Sequence, residues 1–446
     1  MSAVTPIHKA GSAHNVTNYR PISILCCLVK TLELLIHDKF YTAAKPQVFQ
    51  HQHGFVKNRS TATNLMAYAS FLNASLDKRC QVDSIYVDFA NAFDKVPHEL
   101  TLKKLEKLGF PNWLILWLRS YLRDRFAFVK YKSVKSGRFP TPSGVPQGSH
   151  LGPLIFILFV NDLTNRLDSH HLMYADDLKI YRVISSLIDC AALQQDIDIV
   201  TSWCKLNGMA INGTKSKVIS FARMRTQWRY EYKANGSSLE RVFSMKDLGV
   251  IMNSKLSFNE HIAATTSKAF ALLGFIRRHT RDFSDVYALK TLYCSIVRSV
   301  LEYAVQIWAP YHETQIVRIE RIQRCFLRFA LRRLPWNDPQ RLPPYDQRCR
   351  LIKLEPLHQR RAYLQRMFAF DVVRNHIDCP DLLQQVNFNA PARRSRQRLL
   401  FRTTTHRTVF GQNHPLERCF ALLNNINVFD FNVTRHRFKI SVRYLN

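Results

Sequence analysis

Acidic side chains are scarce in this chain. Its 446 residues include 33 Asp and Glu against 64 Lys and Arg, which gives a net charge of +31. A charge of this size repels itself unless something negative lies along it, and nucleic acid is the commonest such partner. An anionic membrane surface is the rival partner. It would need a long apolar anchor or a basic amphipathic helix with a wide apolar face.

Long apolar runs are also missing. The longest, Leu154 to Val160, is far too short to span a bilayer, and residues 1–11 contain no apolar signal core. We therefore predict no membrane partner. We predict an intracellular protein, acting in the nucleus and cytoplasm, in which we recognise no targeting signal.

The cysteines lack any metal-binding spacing. All ten are scattered and none is paired as C-x-x-C, so no zinc knuckle can be assembled from them. We expect free and mostly buried thiols, as is usual inside the cell.

The length predicts two or three domains or subdomains. Up to about Cys80, one helical pattern (Leu28, Leu32, Leu35, Ile36, Phe40) predicts a helix packed on a core. From Val82 to about Ser257, short strands alternate with helices, among them a strand over 84–89. Pro153 and the apolar run after it predict a buried helix with proline in its first turn. This alternation predicts an α+β or α/β core.

After about Ser257 the pattern is helical. Ser284 can cap a helix that carries one apolar face: Val286, Leu289, Leu292, Ile296, Val300 and Tyr303. The helix after Pro310 has an apolar side (Ile316, Ile319, Ile322, Phe326, Ala330) and a basic side (Arg318, Arg321, Arg328, Arg332). A polyanion opposite the arginines or plain solvent would both explain the basic side. The last hundred residues are Arg-rich with few clear elements, and there are no internal repeats.

Asp176 and Asp177 carry the sharpest chemical signal. Strand-like runs flank them in His171-Leu-Met-Tyr-Ala-Asp-Asp-Leu-Lys-Ile-Tyr181, which predicts a hairpin with the two acids at its turn. Asp-Asp is also a common polar turn pair. However, the flanks are apolar, and adjacent carboxylates near a core repel each other unless cations lie between them. The pattern favours metal binding.

A third acid, Asp88, stands at the end of a predicted strand in Tyr86-Val-Asp-Phe-Ala-Asn-Ala-Phe-Asp94. Mg²⁺ prefers oxygen ligands and usually keeps waters and substrate phosphates. Asp88 lies on one predicted strand, and Asp176 with Asp177 lies on its neighbour. Together they could hold two ions about 3.5–4 Å apart, the spacing used for in-line displacement at phosphorus. Asp94 is the structural alternative, since it could simply cap the next helix.

Several segments together resemble the reverse transcriptases of non-LTR (LINE-type) retrotransposons. Tyr174-Ala-Asp-Asp177, the Asp88 segment and Ser143-Gly-Val-Pro-Gln-Gly-Ser-His-Leu-Gly-Pro153 come in that family's order. Two segments that precede these motifs, 18–23 (NYRPIS) and 52–61 (QHGFVKNRST), indicate the non-LTR branch specifically. Downstream it is indicated by 203–212 (WCKLNGMAIN) with Lys215, and by 246–250 (KDLGV). The similarity runs from about Asn18 to about Arg333.

The resemblance implies an α+β right-hand polymerase, with a palm built on a small antiparallel sheet with helices. The implied segments are fingers over 1–81, palm over 82–257 with a late fingers insertion, a helical thumb over 258–335 and a basic C-terminal extension over 336–446. It implies an RNA-directed DNA polymerase that uses two Mg²⁺ (or Mn²⁺) ions, with an RNA template, a DNA primer and dNTPs as partners.

The resemblance also implies roles for single residues. Asp88, Asp176, Asp177 and the Phe89 carbonyl would hold the metals. Arg20, Lys30, Phe93, Gln147 and Gly148 would bind the dNTP, with Phe93 under its sugar, although Phe93 could be plain core, Lys30 a solvated helix residue and Pro146-Gln-Gly148 a plain turn. Lys215 would assist the pyrophosphate leaving group. The basic helix face at Arg318, Arg321, Arg328 and Arg332 would bind nucleic acid.

Two departures from the family pattern favour a second hypothesis. The family has an aliphatic residue where His150 stands, which puts the template-side packing there in question. The chain also shows no upstream endonuclease domain and no C-terminal Cys/His cluster, as in a truncated copy that needs a separate endonuclease source. The rival to the enzyme is therefore a catalytically decayed, nucleic-acid-binding remnant. A third hypothesis, a maturase-like RNA-binding protein, would require an intron-binding domain that the sequence does not reveal.

Overall fold

The computed structural model describes residues 2–9, 11–334, 342–389, 399–406, 408–426 and 433–443. The chain forms two compact units. The first comprises 1–60, 82–220 and 226–242, and the second comprises 61–81, 221–225 and 243–446. The division into fingers, palm, thumb and extension stays a prediction.

Strands and helices are mixed along the chain, as an α+β protein requires. The strands are β1 (Ser2–His8), β2 (Tyr19–Ile24), β3 (Gln81–Val87), β4 (Phe126–Tyr131), β5 (Val134–Lys135), β6 (Phe139–Pro140), β7 (His170–Tyr174), β8 (Asp177–Ile184), β9 (Lys217–Phe221), β10 (Lys233–Ala234), β11 (Ser237–Ser238), β12 (Glu240–Arg241), β13 (Ser244–Asp247) and β14 (Val250–Asn253).

The α-helices alternate with the strands as far as β14, and after β14 they follow one another without strands between them in the described residues. They are α1 (Cys27–Ala44), α2 (Thr61–Asp77), α3 (His98–Lys107), α4 (Asn112–Leu122), α5 (Leu151–Phe159), α6 (Leu187–Leu206), α7 (Asn259–His279), α8 (Val286–Leu292), α9 (Ser299–Glu302), α10 (Val305–Trp308), α11 (Glu313–Leu331), α12 (Tyr345–Leu351), α13 (Leu357–Val373), α14 (Pro380–Leu383), α15 (Val409–Gln412), α16 (Pro415–Asn424) and α17 (Arg435–Ser441). Within the described ranges, no helix is both long and apolar enough to cross a bilayer.

Within the described residues, the first unit contains two five-stranded sheets and the two-stranded β10–β11 sheet. The central sheet has the order β12-β9-β3-β8-β7, and the N-terminal sheet has the order β2-β1-β4-β5 with β6 beside β4. β3 is buried along its whole length. Its buried Asp83 is stabilised because the Ser220 hydroxyl (2.6 Å) and the Tyr232 hydroxyl (2.9 Å) both donate to its carboxylate.

The core of the first unit is built around α5. Every residue of this helix except Pro153 is buried, and its side chains join one apolar cluster with Ile85, Leu105 and Met173. The predicted buried helix with proline in its first turn is therefore confirmed. Burial on all sides is consistent with a helix whose sequence is apolar all round.

The prediction for α1 was right about the helix and wrong about its packing. Leu28, Leu32 and Leu35 are 83%, 48% and 69% exposed, and only Phe40 of the predicted face is fully buried. Glu33 is buried on the same side of the helix as Phe40, and its carboxylate accepts hydrogen bonds from the Tyr121 hydroxyl and the His150 backbone N–H. Helical spacing tells which residues share a face, but it cannot tell what covers that face.

In the second unit, the helix expected after Ser284 begins one residue later than predicted. Asp285 caps it instead, because its side chain accepts from the Tyr287 N–H at 2.8 Å. A π-helical turn over Tyr293–Arg298 then separates α8 from α9. The extra residue in that turn rotates the helix, so the buried residues are Tyr293, Val297 and Leu301, and not Leu292, Ile296 and Val300.

The expectation of few clear elements in the last hundred residues was wrong for the described residues, where α13 to α17 occur. α13 carries no clean apolar stripe, because arginines are interleaved with apolar residues and some of these arginines are buried. Arg361 is one of them, and its guanidinium lies 3.7 Å from the buried Glu320 carboxylate. The positive charge of this buried arginine is balanced by a carboxylate on another helix. The spacing of apolar residues within one helix cannot reveal such a partner.

The predicted apolar side of α11 is confirmed. Ile319, Ile322, Phe326 and Ala330 are buried, and Ile316 is half-buried. No disulfide joins any of the ten cysteines, all of which lie in the described ranges, and five of them are buried, fewer than the mostly buried set expected.

Candidate active site

The paired acids lie at the tip of a hairpin, as predicted. β7 and β8 are antiparallel and Tyr174 pairs with Asp177, so only Ala175 and Asp176 remain in the turn. Ala175 has a φ of +58°, a left-handed conformation that costs a residue with a Cβ roughly 1–2 kcal/mol. Asp176 is half-buried, whereas Asp177 is exposed at the first position of β8. The two neighbouring carboxylates therefore lie in different environments.

Asp88 follows β3 directly, on the strand next to β8 in the central sheet. The loop before β9 holds its backbone: the Asp88 N–H donates to Ser216 Oγ (3.1 Å), and its carbonyl accepts from the Asn212 N–H (2.7 Å). Phe89, the expected backbone ligand, is buried and pairs with Ile211. A loop more than a hundred residues away in the chain thus fixes the end of β3.

The structure brings Asp88 and Asp176 together electrostatically. Burial raises the pKa of the Asp176 carboxyl above its ordinary value, and the negative charge of Asp88 raises this pKa further. A hydrogen bond from the backbone N–H of Asp176 and the charges of Lys9 and Arg20 oppose the rise in pKa. Arg20 was expected at the site. Lys9 was missed, because it belongs to no motif and approaches only through the pairing of β1 with β2.

A ready three-acid metal cluster is absent from the described part of the chain. No three His, Cys, Asp or Glu side chains there already surround one point that could hold an ion. The residues nonetheless suit a cation, because the charge of Asp88 raises the pKa of Asp176 and a cation between the two carboxylates would offset that repulsion. The structure therefore groups Asp88 with Asp176, and the role of Asp177 as a ligand stays a prediction.

The Gln147-Gly148 loop is anchored on both sides. The Gln147 side-chain amide donates to Asp94 Oδ1 (3.1 Å), and the Gln147 carbonyl accepts from the Ser23 N–H (2.7 Å). Gly148 has a φ of +117°, and a Cβ there would come within 2.7 Å of the Ser23 carbonyl oxygen, so only glycine fits. Asp94 does not cap α3, which starts at His98. It lies in a 3₁₀ turn, where burial raises its pKa.

Phe93 lies at the border of the core. Its ring stacks on that of Phe156, with 4.4 Å between centroids, and meets the edge of Phe55 at 6.1 Å. The side chain is half-buried. Its packing is compatible both with a substrate-contacting ring and with a core residue.

Comparison with known proteins decides which family has this arrangement. The model of the reverse transcriptase (RNA-dependent DNA polymerase) family matches residues 7–276. The chain belongs to this family.

Relatives of this chain come from non-LTR elements, which confirms the expected branch. The chain is 27% identical over 344 residues to a probable RNA-directed DNA polymerase from transposon BS of Drosophila melanogaster, covering 74% of this chain and 38% of the relative. It is 27% identical over 351 residues to the RNA-directed DNA polymerase from mobile element jockey of the same species, covering 75% and 38%. The chain thus spans 38% of the length of these two relatives.

Among solved structures, the chain aligns with telomerase from Candida albicans in complex with a fragment of telomeric RNA. The identity is 12%, the TM-score is 0.36, and the alignment covers 79% of this chain and 64% of the telomerase chain.

The two lysines expected at the candidate active site, Lys215 and Lys30, have different surroundings. Lys215 is exposed, one residue before the Ser216 that holds Asp88. Lys30 is half-buried in the first turn of α1, and no described contact links it to the acids. The His150 side chain, the departure from the family pattern, is exposed, while its backbone N–H is bound to Glu33.

The basic side of α11 belongs to the second unit. Arg318, Arg321 and Arg328 are exposed on the helix, and Arg332 is exposed just beyond its end. Arg348, nearby, has its pKa lowered first by burial and then by the positive charge of Arg328 and Arg324. Cations are therefore crowded on this surface, and the acidic groups that oppose the lowering of the Arg348 pKa are Cys349 and Tyr345.

Sequence reasoning used Gln52 only as part of a family marker and missed its contact with the acid turn. Gln52 is fully buried, and its Oε1 accepts from the Ala175 N–H (2.9 Å) and the Gly54 N–H (2.8 Å). The His53 N–H donates to the Met173 carbonyl at 2.9 Å. A Cβ on Gly54 would lie 2.2 Å from the Ala175 nitrogen. Gln52 and Gly54 therefore hold the strained turn that carries Asp176.

We predict that Gln52→Leu destabilises the first unit by about 1–3 kcal/mol, because two buried N–H groups are left without an acceptor. Denaturant unfolding measures this destabilisation, and amide exchange at Ala175 and Gly54 should accelerate. Gln47→Leu is the matched control on an exposed glutamine, with an expected change within about 0.5 kcal/mol. Equal unfolding midpoints for the two variants would contradict the assignment.

Proposed function

We propose that this chain is an RNA-directed DNA polymerase that adds deoxynucleotides to a primer 3′-OH on an RNA template. The observation that carries the proposal is the proximity of Asp88 and Asp176 at neighbouring strands of the central sheet, where the charge of Asp88 raises the pKa of Asp176. Membership of the reverse transcriptase family supports it. The polymerase would act inside the cell, in the nucleus and cytoplasm, where its nucleic acids are found.

The carboxylates of Asp88, Asp176 and Asp177 and the carbonyl of Phe89 would hold two Mg²⁺ or Mn²⁺ ions. When bound, such ions lower the pKa of an attacking hydroxyl and stabilise the charge that develops on the phosphoryl group. The part of the protein is to keep the carboxylates in position. The Gln52 contact with the turn and the Ser216 contact with Asp88 support that role, because both act on backbone and resist carboxylate repulsion.

The nucleotide would be recognised from several sides. The cations Arg20 and Lys9 act on Asp176 electrostatically, which suits a triphosphate beside the metals, and we assign Lys30 to the same group. Gln147 and Gly148 would line the nucleotide pocket. Lys215 would donate a proton to the leaving pyrophosphate. Phe93 would lie beneath the sugar and exclude a 2′-hydroxyl by steric clash.

The primer–template would be bound in part by the arginines of α11. Like charges on one helix face destabilise an isolated helix by about 0.2–0.5 kcal/mol per pair. A phosphate backbone opposite Arg318, Arg321, Arg328 and Arg332 removes this repulsion, and it releases counterions from the nucleic acid.

The second candidate is a catalytically decayed protein that only binds nucleic acid. The observation in its favour is that no three-acid cluster is preformed among the described residues. Primer extension on poly(rA)/oligo(dT) with Mg²⁺ or Mn²⁺ separates the two candidates. Synthesis supports the polymerase, and binding without synthesis supports the decayed protein.

For the metal site, we predict that Asp88→Asn or Asp176→Asn abolishes synthesis while primer–template affinity stays largely intact, because the fold keeps its shape and the site is deprived of a metal ligand. Asp177→Asn should also be severe. Asp124→Asn, an exposed acid in a turn, is the control and should polymerise normally. Synthesis by either of the first two variants would remove these acids from the site.

For the sugar, we predict that Phe93→Val raises rNTP incorporation relative to dNTP in single-nucleotide extension. If Phe93 is only core, the change should cost about 1–4 kcal/mol of stability and leave sugar preference unaltered. Phe110→Val is the control, because Phe110 is buried against Phe40. It should lower the melting temperature without affecting rNTP use.

For the α11 arginines, replacing all four with Gln should weaken primer–template binding and flatten its salt dependence. The log–log slope should fall by up to about 0.9 for each duplex phosphate that the arginines no longer neutralise. The control replaces four exposed cations elsewhere in the same unit: Arg350, Lys353, Arg374 and Lys439. An identical slope in both quadruple variants would mean that the arginines only face solvent.

A further inference from the structure

A cavity of about 200 Å³ lies in the second unit, and none of the residues assigned to the candidate active site lines it. The cavity is formed by α2, the loop before α7, the loop between α10 and α11, and the segment from α15 to α16. These elements are far apart in the sequence but belong to one compact unit. Pockets for whole drug-sized ligands have volumes of about 300–1,000 Å³, so this cavity admits a single ring system.

The walls of the cavity are apolar and aromatic. Leu256, Ile262 and Trp308 line it, and each is 3% exposed or less. The Trp308 indole N–H donates to the Tyr303 carbonyl at 2.8 Å, so the only polar atom of this side chain is already bonded. Phe410 adds a further ring, which is 9% exposed. Such walls favour a flat ring as the ligand.

One polar side chain of the cavity lacks a partner. Asn73 lines the cavity and is 3% exposed, and its Oδ1 atom accepts no hydrogen bond from the described residues. The guanidinium of Arg418, which also lines the cavity, is engaged by three acceptors: Gln365 Oε1 (2.7 Å) and the carbonyls of Ala309 (2.9 Å) and Gln306 (3.1 Å). An amide oxygen that is removed from water without a donor is costly. A ligand with an N–H group would satisfy Asn73.

The charges around the cavity favour an anionic ligand. Among its described lining residues, Arg223 and Arg418 are cations and none is Asp or Glu. Arg223 is exposed, and its guanidinium lies 4.2 Å from the centroid of Phe410 and donates to the Lys255 carbonyl at 3.2 Å. A guanidinium has five N–H donors, so Arg223 retains donors for an anion. The ligand therefore combines a ring inside the cavity with a negative charge outside it.

An adenine nucleotide meets these requirements. An asparagine amide can bond to the N6 amino group and to N7 of adenine, aromatic side chains stack on the face of the base, and arginine binds phosphate. An aromatic acid without an N–H group on its ring would leave the Asn73 oxygen without a donor.

We propose that this cavity binds the adenine base of a nucleotide, with Asn73 at its amino group and Arg223 at its phosphate. A free nucleotide and an adenosine within an RNA strand present the same base and phosphate, and the experiment separates these two sources. The site goes beyond the proposed polymerase function, since it needs neither the carboxylates of Asp88 and Asp176 nor a metal ion.

The test is equilibrium dialysis of the whole chain with labelled AMP in the presence of EDTA. EDTA removes divalent cations, so metal-dependent binding of a nucleotide at the candidate active site does not contribute. We expect AMP to bind at least about 5-fold more tightly than IMP, which carries a carbonyl oxygen in place of the amino group and would turn an acceptor towards the Asn73 oxygen. Equal affinities for the two nucleotides would overturn the proposal, whether or not any variant folds.

Asn73→Leu should abolish the preference for AMP over IMP. Its melting temperature should stay unchanged or rise, because an apolar group of similar size replaces an amide without a partner. The control is Asn425→Leu, at an exposed asparagine just after α16, which should keep the preference. An undiminished preference for AMP in the Asn73→Leu variant would exclude the cavity as the site.

The phosphate and the source of the base are tested in the same way. Arg223→Gln should weaken the binding of AMP and leave adenosine unaffected, whereas Arg225→Gln, at an exposed neighbour outside the cavity, should change neither. Oligoadenylate of about six nucleotides is the second probe. Tighter binding of oligoadenylate than of AMP, lost in Asn73→Leu, assigns the base to an RNA strand, and the reverse order assigns it to a free nucleotide. If neither probe binds, or if Asn73→Leu binds both as the wild type does, the proposal is wrong.

Discussion

The repulsion between two half-buried carboxylates is the constraint on which the candidate site depends. Asp88 and Asp176 would separate if their backbones were free, because the charge of Asp88 makes the ionised form of Asp176 more costly. The structure resists this separation through the main chain. A serine hydroxyl and an asparagine N–H hold the end of β3, and a buried glutamine amide holds the hairpin turn. Such a site favours cations because its framework cannot relax away from its own charge.

Buried polar side chains elsewhere in the first unit serve the same purpose at a greater distance. Glu33 accepts from Tyr121 and from the backbone of His150, two residues after Gly148. The Ser23 backbone N–H also donates to the carbonyl of Gln147. The loop expected beside the nucleotide is therefore fixed at both ends by N-terminal residues. The two hydrogen bonds that the Glu33 carboxylate accepts offset most of the free energy lost when it is removed from water.

The net charge of +31 is concentrated in particular places. In the second unit, arginines line the exposed side of α11, and in the first unit lysines face each other on the hairpin of β4 and β5. Both arrangements place like charges closer than an isolated protein would favour. An anionic partner opposite either surface would remove this repulsion.

The sequence alone determined the elements whose signals are local. The hairpin at Asp176, the strand end at Asp88, the buried helix α5 and the two sides of α11 all follow from short patterns, and the family follows from the order of its motifs. Tertiary structure decided what those patterns cannot encode. Gln52 contacts a turn 123 residues away, and Lys9 nears the acids only through strand pairing. A π-helical turn rotated the face after Leu292, and Leu28 stayed exposed. Periodicity fixes which residues share a side, but which partner covers that side depends on contacts between residues far apart in the chain.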